Sequence, residues 1–333
     1  MADETNLEVR LKRRPGGVPV AEDFDVVEGP VPVPGAGDML CRARYLSLDP
    51  YMRGQISGRH LSGAVEVGDL MRGEVISDVV TSNAGRFDVG DRIAFRGHWQ
   101  SWQVTDGAEA RLVDPAIDPP SLALGILGMP GLTAYAGFLH LAEPKAGDVV
   151  MVSAASGPVG SMVGQIAKIR DCRVVGIAGG PEKCRWVTEE AGFDACIDYK
   201  AEELGPAIER ECPNGVDIYF DNVGGDVLDA VMWRLALGAR VVLCGLMAQY
   251  NTDEIPPGPN PATIIKARAT VRGLVVYDHE DKRADFTRDA LAWLAAGKLH
   301  YREDVTEGLE NAPAAFARLM AGQNFGKMVV KIA

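Results

Sequence analysis

Between Val149 and Val276 the chain repeats one pattern: a short β-rich apolar run, a turn, then a helix-like segment. The apolar runs are Val149 to Ser153, Arg173 to Ile177, Ala195 to Asp198, Val216 to Asp221, Arg240 to Cys244 and Thr270 to Val276. Between them, Val159 to Ile169, Glu182 to Ala191, Ala201 to Glu211 and Val227 to Leu237 read as helices. A strand that is apolar on both faces must be covered on both, and β-α alternation supplies the helices that cover it. The stretch therefore predicts an α/β, doubly wound parallel sheet of six strands.

The first turn of that series is the most informative. Val149-Val150-Met151-Val152-Ser153 opens directly into Ala154-Ala155-Ser156-Gly157-Pro158-Val159-Gly160, and a helix follows. The G-x-G-x-x-G fingerprint is met as Ala155, Gly157 and Gly160, with alanine at the first glycine. Gly157 lets backbone approach a pyrophosphate, and Gly160 lets the helix pack closely on the strand. The uncapped helix start then offers N–H groups and a positive dipole end to phosphate. Pro158 suits the first helical turn, where its missing N–H costs nothing.

Cofactor choice is read at the end of the second strand, where an acid that binds the ribose 2′-hydroxyl marks NAD. Here the strand ends in Ala178-Gly179-Gly180, with Lys183 and Arg185 one helical turn later. That predicts NADP, with Glu182 as the contrary sign. Two solvated surface cations are the plainer alternative.

The first third of the chain has a different texture. Short strand-like runs at Phe24 to Val27, Met39 to Leu46, Glu74 to Ile76, Arg92 to Phe95 and His98 to Val104 are separated by Gly, Pro and Asp, which predicts a small barrel or sandwich. Ser121 to Leu127 reads as the start of a helical stretch. Ala248 to Pro261, rich in Pro, Gly, Asn and Asp, reads as a lid or a plain solvated connection. Gly326 to Lys331 reads as a strand that returns to the N-terminal domain.

Composition excludes several classes. A chain of 333 residues that is 47% hydrophobic can bury two cores. The formal charge of −12 and the lack of a basic tract argue against nucleic acid. No apolar run is long enough to cross a bilayer, and MADETNLEVR lacks the apolar region of a secretory leader, so a cytoplasmic protein is expected. The six cysteines include no C-x-x-C pair and read as reduced thiols, mostly small core residues. The five histidines are dispersed, with no H-E-x-x-H, so no metal is expected.

Motifs spread over nearly the whole chain carry a family resemblance. They are Leu48-Asp49-Pro50-Tyr51-Met52-Arg53-Gly54, Met129-Pro130-Gly131-Leu132-Thr133-Ala134-Tyr135 and the Ala154 to Gly160 turn. Gly179 to Lys183, Ile197-Asp198-Tyr199-Lys200, Phe220 to Gly225, Cys244 to Asn251 and Asn324-Phe325-Gly326-Lys327 complete the set. On these the chain resembles the zinc-free medium-chain dehydrogenases/reductases of the alkenal/one oxidoreductase group, which includes prostaglandin and leukotriene reductases and bacterial curcumin reductases.

The resemblance implies a GroES-like β-barrel domain over residues 1–121 and 299–333, and a Rossmann NADP-binding domain over 122–298. It implies NADPH-dependent reduction of the C=C bond of enones and enals, a homodimer, and small-molecule substrates only. An NADPH-dependent quinone reductase is the alternative on the same frame. Lys183 and Tyr199 are implied at the 2′-phosphate, and Asn324 and the Asn222-Val223-Gly224 turn near the nicotinamide. Thr133, Ala155, Gly157, Val159, Gly160, Gly180 and Cys244 complete the implied cofactor set, to which Tyr250 also belongs. Tyr51 and Tyr250 are implied to line the substrate cleft between domains and are the candidate catalytic donors to the carbonyl oxygen. Read from the residues alone, Tyr51 can equally be a barrel-core aromatic, and Tyr250 an exposed loop residue. The sequence departs from plant and mammalian relatives at Lys266, where they carry a tyrosine, so the proton donor differs or comes from water. Ser47 to Pro50 stands where zinc-dependent relatives carry their first catalytic cysteine.

Overall fold

The computed structural model describes residues 4–252, 254 and 256–333. In chain order come β1 (Thr5–Leu11), β2 (Phe24–Pro30), β3 (Met39–Ser47), the short helix α1 (Met52–Ile56), β4 (Arg72–Ser82), β5 (Arg92–His98), β6 (Trp102–Thr105) and β7 (Arg111–Leu112). The middle of the chain supplies α2 (Met129–Tyr135), β8 (Val149–Ser153), α3 (Pro158–Ile169), β9 (Arg173–Ala178), α4 (Pro181–Glu189), β10 (Ala195–Asp198) and α5 (Leu204–Glu211). It continues with β11 (Val216–Asp221), α6 (Gly225–Met232), β12 (Leu235–Leu243), α7 (Ala262–Ala267), β13 (Thr270–Gly273) and α8 (Arg283–Ala295). β14 (Glu303–Glu307), α9 (Ala312–Met320) and β15 (Lys327–Lys331) close it. Two units separate: the chain up to Gly125 with the short stretch from Tyr250 and everything from Glu303, and the rest from Ile126 to Arg302.

The first unit is β-rich. Its seven-stranded sheet runs β14-β15-β3-β4-β5-β7, with β6 paired on β3 and a separate β1-β2 pair. β15 lies antiparallel to β3, with Val329 opposite Ser47 and Lys331 opposite Tyr45. Trp99 is fully buried, stacked on Phe24 and edge-on to Phe316 of α9, so the C-terminal helix closes the same core. Alternation along β1 puts Val9 and Leu11 into that core, although the turn-rich pattern above does not single this strand out. The run from His98 to Val104 is two pieces rather than one strand. Gln103 bridges the gap, its Nε2 donating to the carbonyls of His98 and Gln100.

The second unit is the parallel sheet, in the order β10-β9-β8-β11-β12-β13. All its pairs are parallel, and the order reverses between β8 and β11, the position at which doubly wound sheets open a crevice at the strand carboxyl ends. The helical reading of Val227 to Leu237 is corrected: α6 ends at Met232 and β12 begins at Leu235. Leu235, Ala236 and Leu237 are good helix formers, but Leu235 pairs with Val216, and sheet pairing overrides propensity there. The stretch from Ser121 is likewise not one helix. It is a 3-10 turn at Pro120–Leu124, then α2, then a π-helical segment at Ala136–Ala142. The sixth strand is short, ending at Gly273 rather than Val276.

Candidate functional site

The loops after β8 and β11 flank the reversal point, and one buried carboxylate ties them together. Asp221, fully buried at the end of β11, accepts hydrogen bonds from Ser153 Oγ at 2.9 Å and Tyr219 Oη at 2.6 Å through Oδ1. The backbone N–H of Val223 donates to Oδ1 at 3.1 Å, and that of Gly224 to Oδ2 at 3.0 Å. Ser153 in turn accepts from Asn222 N–H at 2.8 Å, and Asn222 Nδ2 donates to the Ser153 carbonyl at 2.8 Å. The Asn222-Val223-Gly224 turn is therefore fixed by charge-assisted and buried bonds before any ligand arrives. Gly224 has φ +72°, a left-handed conformation that glycine adopts without strain. Burial, with Asp221 alongside, pushes the Tyr219 hydroxyl far above its ordinary range, so it stays a proton donor. Leu246, Ala248 and Cys244 follow β12 onto this turn: Ala248 N–H donates to the Val223 carbonyl and Cys244 N–H to the Asp221 carbonyl. The half-buried Cys244 thiol is pushed up to about 12 by burial and then by Asp221, so it is no nucleophile near neutral pH.

The turn after β8 fits a pyrophosphate. Gly157 stands at the N-cap of α3, whose first turn has no side-chain cap and begins with Pro158. That leaves the N–H groups of Val159 and Gly160 at the dipole's positive end. A Cβ at Gly160 would come within 2.4 Å of the Ala154 carbonyl oxygen, so helix and loop touch here because no side chain intervenes. Alanine at the first fingerprint position also has its explanation. The Ala155 methyl packs against Gly176 of β9, where an added Cβ would sit only 2.8 Å away.

At the end of β9 the backbone turns through Gly179 and Gly180, and Gly180 N–H donates to Asp198 Oδ1 at 2.8 Å. The Tyr199 ring lies against Gly179, where an added Cβ would meet it at 2.8 Å. Tyr199 remains 48% exposed, so a face or edge is available to a ligand. Lys183 is half-buried in the first turn of α4, whereas Glu182 and Arg185 are exposed. This end of the sheet thus presents glycine backbone, an aromatic ring and an ammonium, and the nearby Asp198 carboxylate is engaged by the backbone N–H groups of Gly180 and Lys200. The residues fit a phosphorylated dinucleotide. Thr133, buried on α2, donates to the Met129 carbonyl at 2.8 Å.

In the first unit, Tyr51 and Tyr250 are both half-buried and pack against the same hydrophobic core. Tyr250 is therefore not a simple exposed loop residue. Asn251 fixes its neighbourhood, with Nδ2 donating to the Met320 carbonyl at the end of α9 at 2.9 Å. Of the proposed lid segment, Asp253 and Ile255 lie outside the described residues. Tyr51 immediately precedes α1 and lies 5.1 Å from the His60 ring, centroid to centroid. His60 Nδ1 accepts from Ser62 N–H at 3.1 Å, which assigns the ring proton to Nε2, and burial lowers the His60 pKa so the ring is neutral.

The segment preceding Tyr51 holds the least expected feature. Lys327 and Asp49 form an ion pair of 2.6 Å with side chains only 3% and 6% exposed. Lys327 Nζ also donates to the Leu48 carbonyl at 2.9 Å, and Ser47 Oγ donates to Asp49. Asn324 Nδ2 donates to the Gly326 carbonyl at 3.0 Å, one residue before this lysine. The pair thus locks the strand that follows Asn324 to the turn that presents Tyr51. Lys266 is exposed on α7. Among the described residues no group of three or more His, Cys, Asp or Glu is placed to hold a metal ion.

Sequence reasoning placed the glycine turn, Lys183, Tyr199 and Tyr250 in one domain and Tyr51 and Asn324 in the other, whereas Tyr250 groups with the first unit; it missed Asp221, Ser153, His60 and the Asp49–Lys327 pair. A signal existed for two of them: an Asp ending an apolar strand, and a Lys inside Gly326-Lys327-Met328-Val329-Val330.

Comparison with known proteins agrees with this arrangement. Residues 8–113 match the family described as the N-terminal domain of oxidoreductase, and residues 158–296 match the family described as zinc-binding dehydrogenase. The chain is similar to the NADPH-dependent curcumin reductase of Escherichia coli (strain K12), 44% identical over 330 residues covering 97% of this chain and 96% of that protein. It is also 38% identical to the 2-alkenal reductase (NADP(+)-dependent) of Nicotiana tabacum, covering 100% of this chain and 99% of that protein. Among solved structures, CurA of Vibrio vulnificus in complex with NADPH matches with a TM-score of 0.94 and 45% identity, covering 98% of this chain and 99% of that one. The chain belongs to the medium-chain dehydrogenase/reductase family, within its alkenal reductase group.

Proposed function

We propose that this chain is an NADPH-dependent reductase of the C=C bond in α,β-unsaturated aldehydes and ketones. The observation that carries the reading is the end-to-end similarity to the 2-alkenal reductase, joined to a β9 that runs out into Ala178-Gly179-Gly180 rather than an acid, with Lys183 and Tyr199 beside it. When bound, NADPH supplies a hydride to the β-carbon of such a substrate. Lys183 would pair with the 2′-phosphate, with Tyr199 as a further contact to it. Ala155, Gly157, Val159 and Gly160 would hold the pyrophosphate, Asn222 and Asn324 would lie near the nicotinamide, and Thr133 and Cys244 would complete the cofactor contacts. Tyr51 and Tyr250 are the donors to the carbonyl oxygen as it gains charge, a contribution of about 3 to 4 kcal/mol in oxyanion sites. The exposed Lys266 leaves the α-carbon proton to water.

The same reading makes the protein a cytoplasmic, zinc-independent homodimer with domains over 1–121 with 299–333 and 122–298. Supporting zinc independence, an ammonium group, Lys327, already occupies Asp49 in the segment where zinc-dependent relatives begin their ligand set. The test is NADPH oxidation against a panel of 2-alkenals, enones, curcumin-like dienones and quinones before and after exhaustive chelation. Turnover of enals and enones that survives chelation supports the reading. Turnover of quinones alone moves the chain to the alternative activity, and loss of activity together with stoichiometric zinc overturns the metal-free chemistry.

A further inference from the structure

α4 packs on β10, and the contact brings two cysteines together. Cys184 is in the first turns of α4 and Cys196 is the second residue of β10; their sulfurs are 3.0 Å apart, inside ordinary non-bonded contact. Both are half-buried, whereas Cys41, Cys172 and Cys212 are buried. The pair is therefore less shielded than the three buried thiols. The two sulfurs are also unlike. The Cys196 thiol donates to Cys184, which lowers the Cys184 pKa, while the same contact and burial raise that of Cys196. The Cys184 sulfur is thereby the more easily ionised of the two and Cys196 its proton-bearing partner, the arrangement of an attacking and a resolving thiol.

We propose that Cys184 and Cys196 are a redox-active dithiol, which a hydroperoxide closes to an intramolecular disulfide between α4 and β10. In the first step the Cys184 thiolate attacks the peroxide. An S–O bond forms, the O–O bond breaks, and the leaving oxygen departs as hydroxide or alkoxide and takes up a proton. In the second step the Cys196 sulfur, its proton released, attacks the Cys184 sulfenic acid. The S–S bond forms, the S–O bond breaks, and the oxygen leaves as water. Two thiols and one hydrogen peroxide thus give one disulfide and two waters. Closure to a bond of about 2.05 Å moves the sulfurs together by about 1 Å. The site is independent of the cofactor reading, since neither step uses a nucleotide.

The test is thiol counting on the full chain. Protein is fully reduced, desalted, exposed to a few equivalents of hydrogen peroxide, denatured and alkylated. Alkylation of the wild type should fall from six thiols to four and return to six after dithiothreitol. After trypsin, tandem mass spectrometry should find the dipeptide Cys184-Arg185 disulfide-linked to the peptide Trp186–Lys200. In Cys196→Ser the disulfide should be absent and Cys184 should be trapped by dimedone as its sulfenic acid. In Cys184→Ser all five remaining thiols should survive the same dose. A wild type that keeps six thiols, a linkage between other cysteines, or a lone sulfinic acid without disulfide overturns the proposal. The wild-type readout stands whether or not either variant folds.

Discussion

Replacing Lys327 by Met tests how the first unit presents Tyr51. The substitution keeps the apolar stem and removes the ammonium, leaving Asp49 buried with Ser47 Oγ still donating to it. Both side chains are nearly inaccessible, so solvent does not screen the loss. Breaking a buried pair by deleting one member costs about 3 to 5 kcal/mol, because an uncompensated charge stays behind. At about 1.4 kcal/mol per decade, the opening equilibrium of this unit shifts by roughly two to three and a half orders of magnitude. Hydrogen exchange read by mass spectrometry is the suitable assay, since it resolves one unit from the other. Amides of β15 and β3, and Leu48, whose N–H bonds the Met328 carbonyl, should exchange faster by about that factor, with α3 and β11 unchanged. Adding Asp49→Asn should restore more than half of the loss, since the buried charge is then gone. Exchange in β15 within about threefold of wild type would refute the claim that this pair holds strand and turn together.

Three further outcomes follow from individual contacts. Lys183→Ala should raise the KM for NADPH by about tenfold and leave that for NADH nearly unchanged, measured by steady-state kinetics with both cofactors; an equal rise for both removes Lys183 from the 2′-phosphate. Tyr250→Phe should lower kcat by roughly 30- to 1000-fold and move KM little, since the donor acts mainly on the transition state; a small effect shifts the role to Tyr51. Burial raises the Glu303 pKa above the ordinary carboxylate value, with Ser121 Oγ and Lys327 working against it, and its Oε1 is buried without a partner. As pH rises through that value the unfolded chain loses the proton first, so the native state binds more protons and stability falls. Melting temperature against pH should therefore decline less in Glu303→Gln than in wild type just above the ordinary glutamate range, and parallel curves would contradict this.

The parts legible in the sequence were those encoded locally. Six apolar runs, the Ala155-Gly157-Gly160 turn and the glycine end at Gly180 are each contained in a few adjacent residues; the runs supply the six strands of the parallel sheet, and the two turns follow β8 and β9. Contacts between distant segments were not legible. Lys327 meets Asp49 across 278 residues, and nothing near either predicts the other. Asp221 sits in a motif that the family resemblance marked, yet its work, joining Ser153 to the Asn222 turn, exists only once β8 and β11 are neighbours. Leu235 to Leu237 misled for a related reason: local helix preference lost to pairing with β11. The Cys184–Cys196 contact escaped because the two stand twelve positions apart in sequence, outside any C-x-x-C spacing.

The central claim is conjugate reduction, and the destination of the label decides it. With deuterium at the transferable position of NADPH and an α,β-unsaturated ketone as substrate, product analysis should show a saturated ketone, its carbonyl intact and deuterium on the β-carbon. An allylic alcohol carrying deuterium on the former carbonyl carbon would contradict the account.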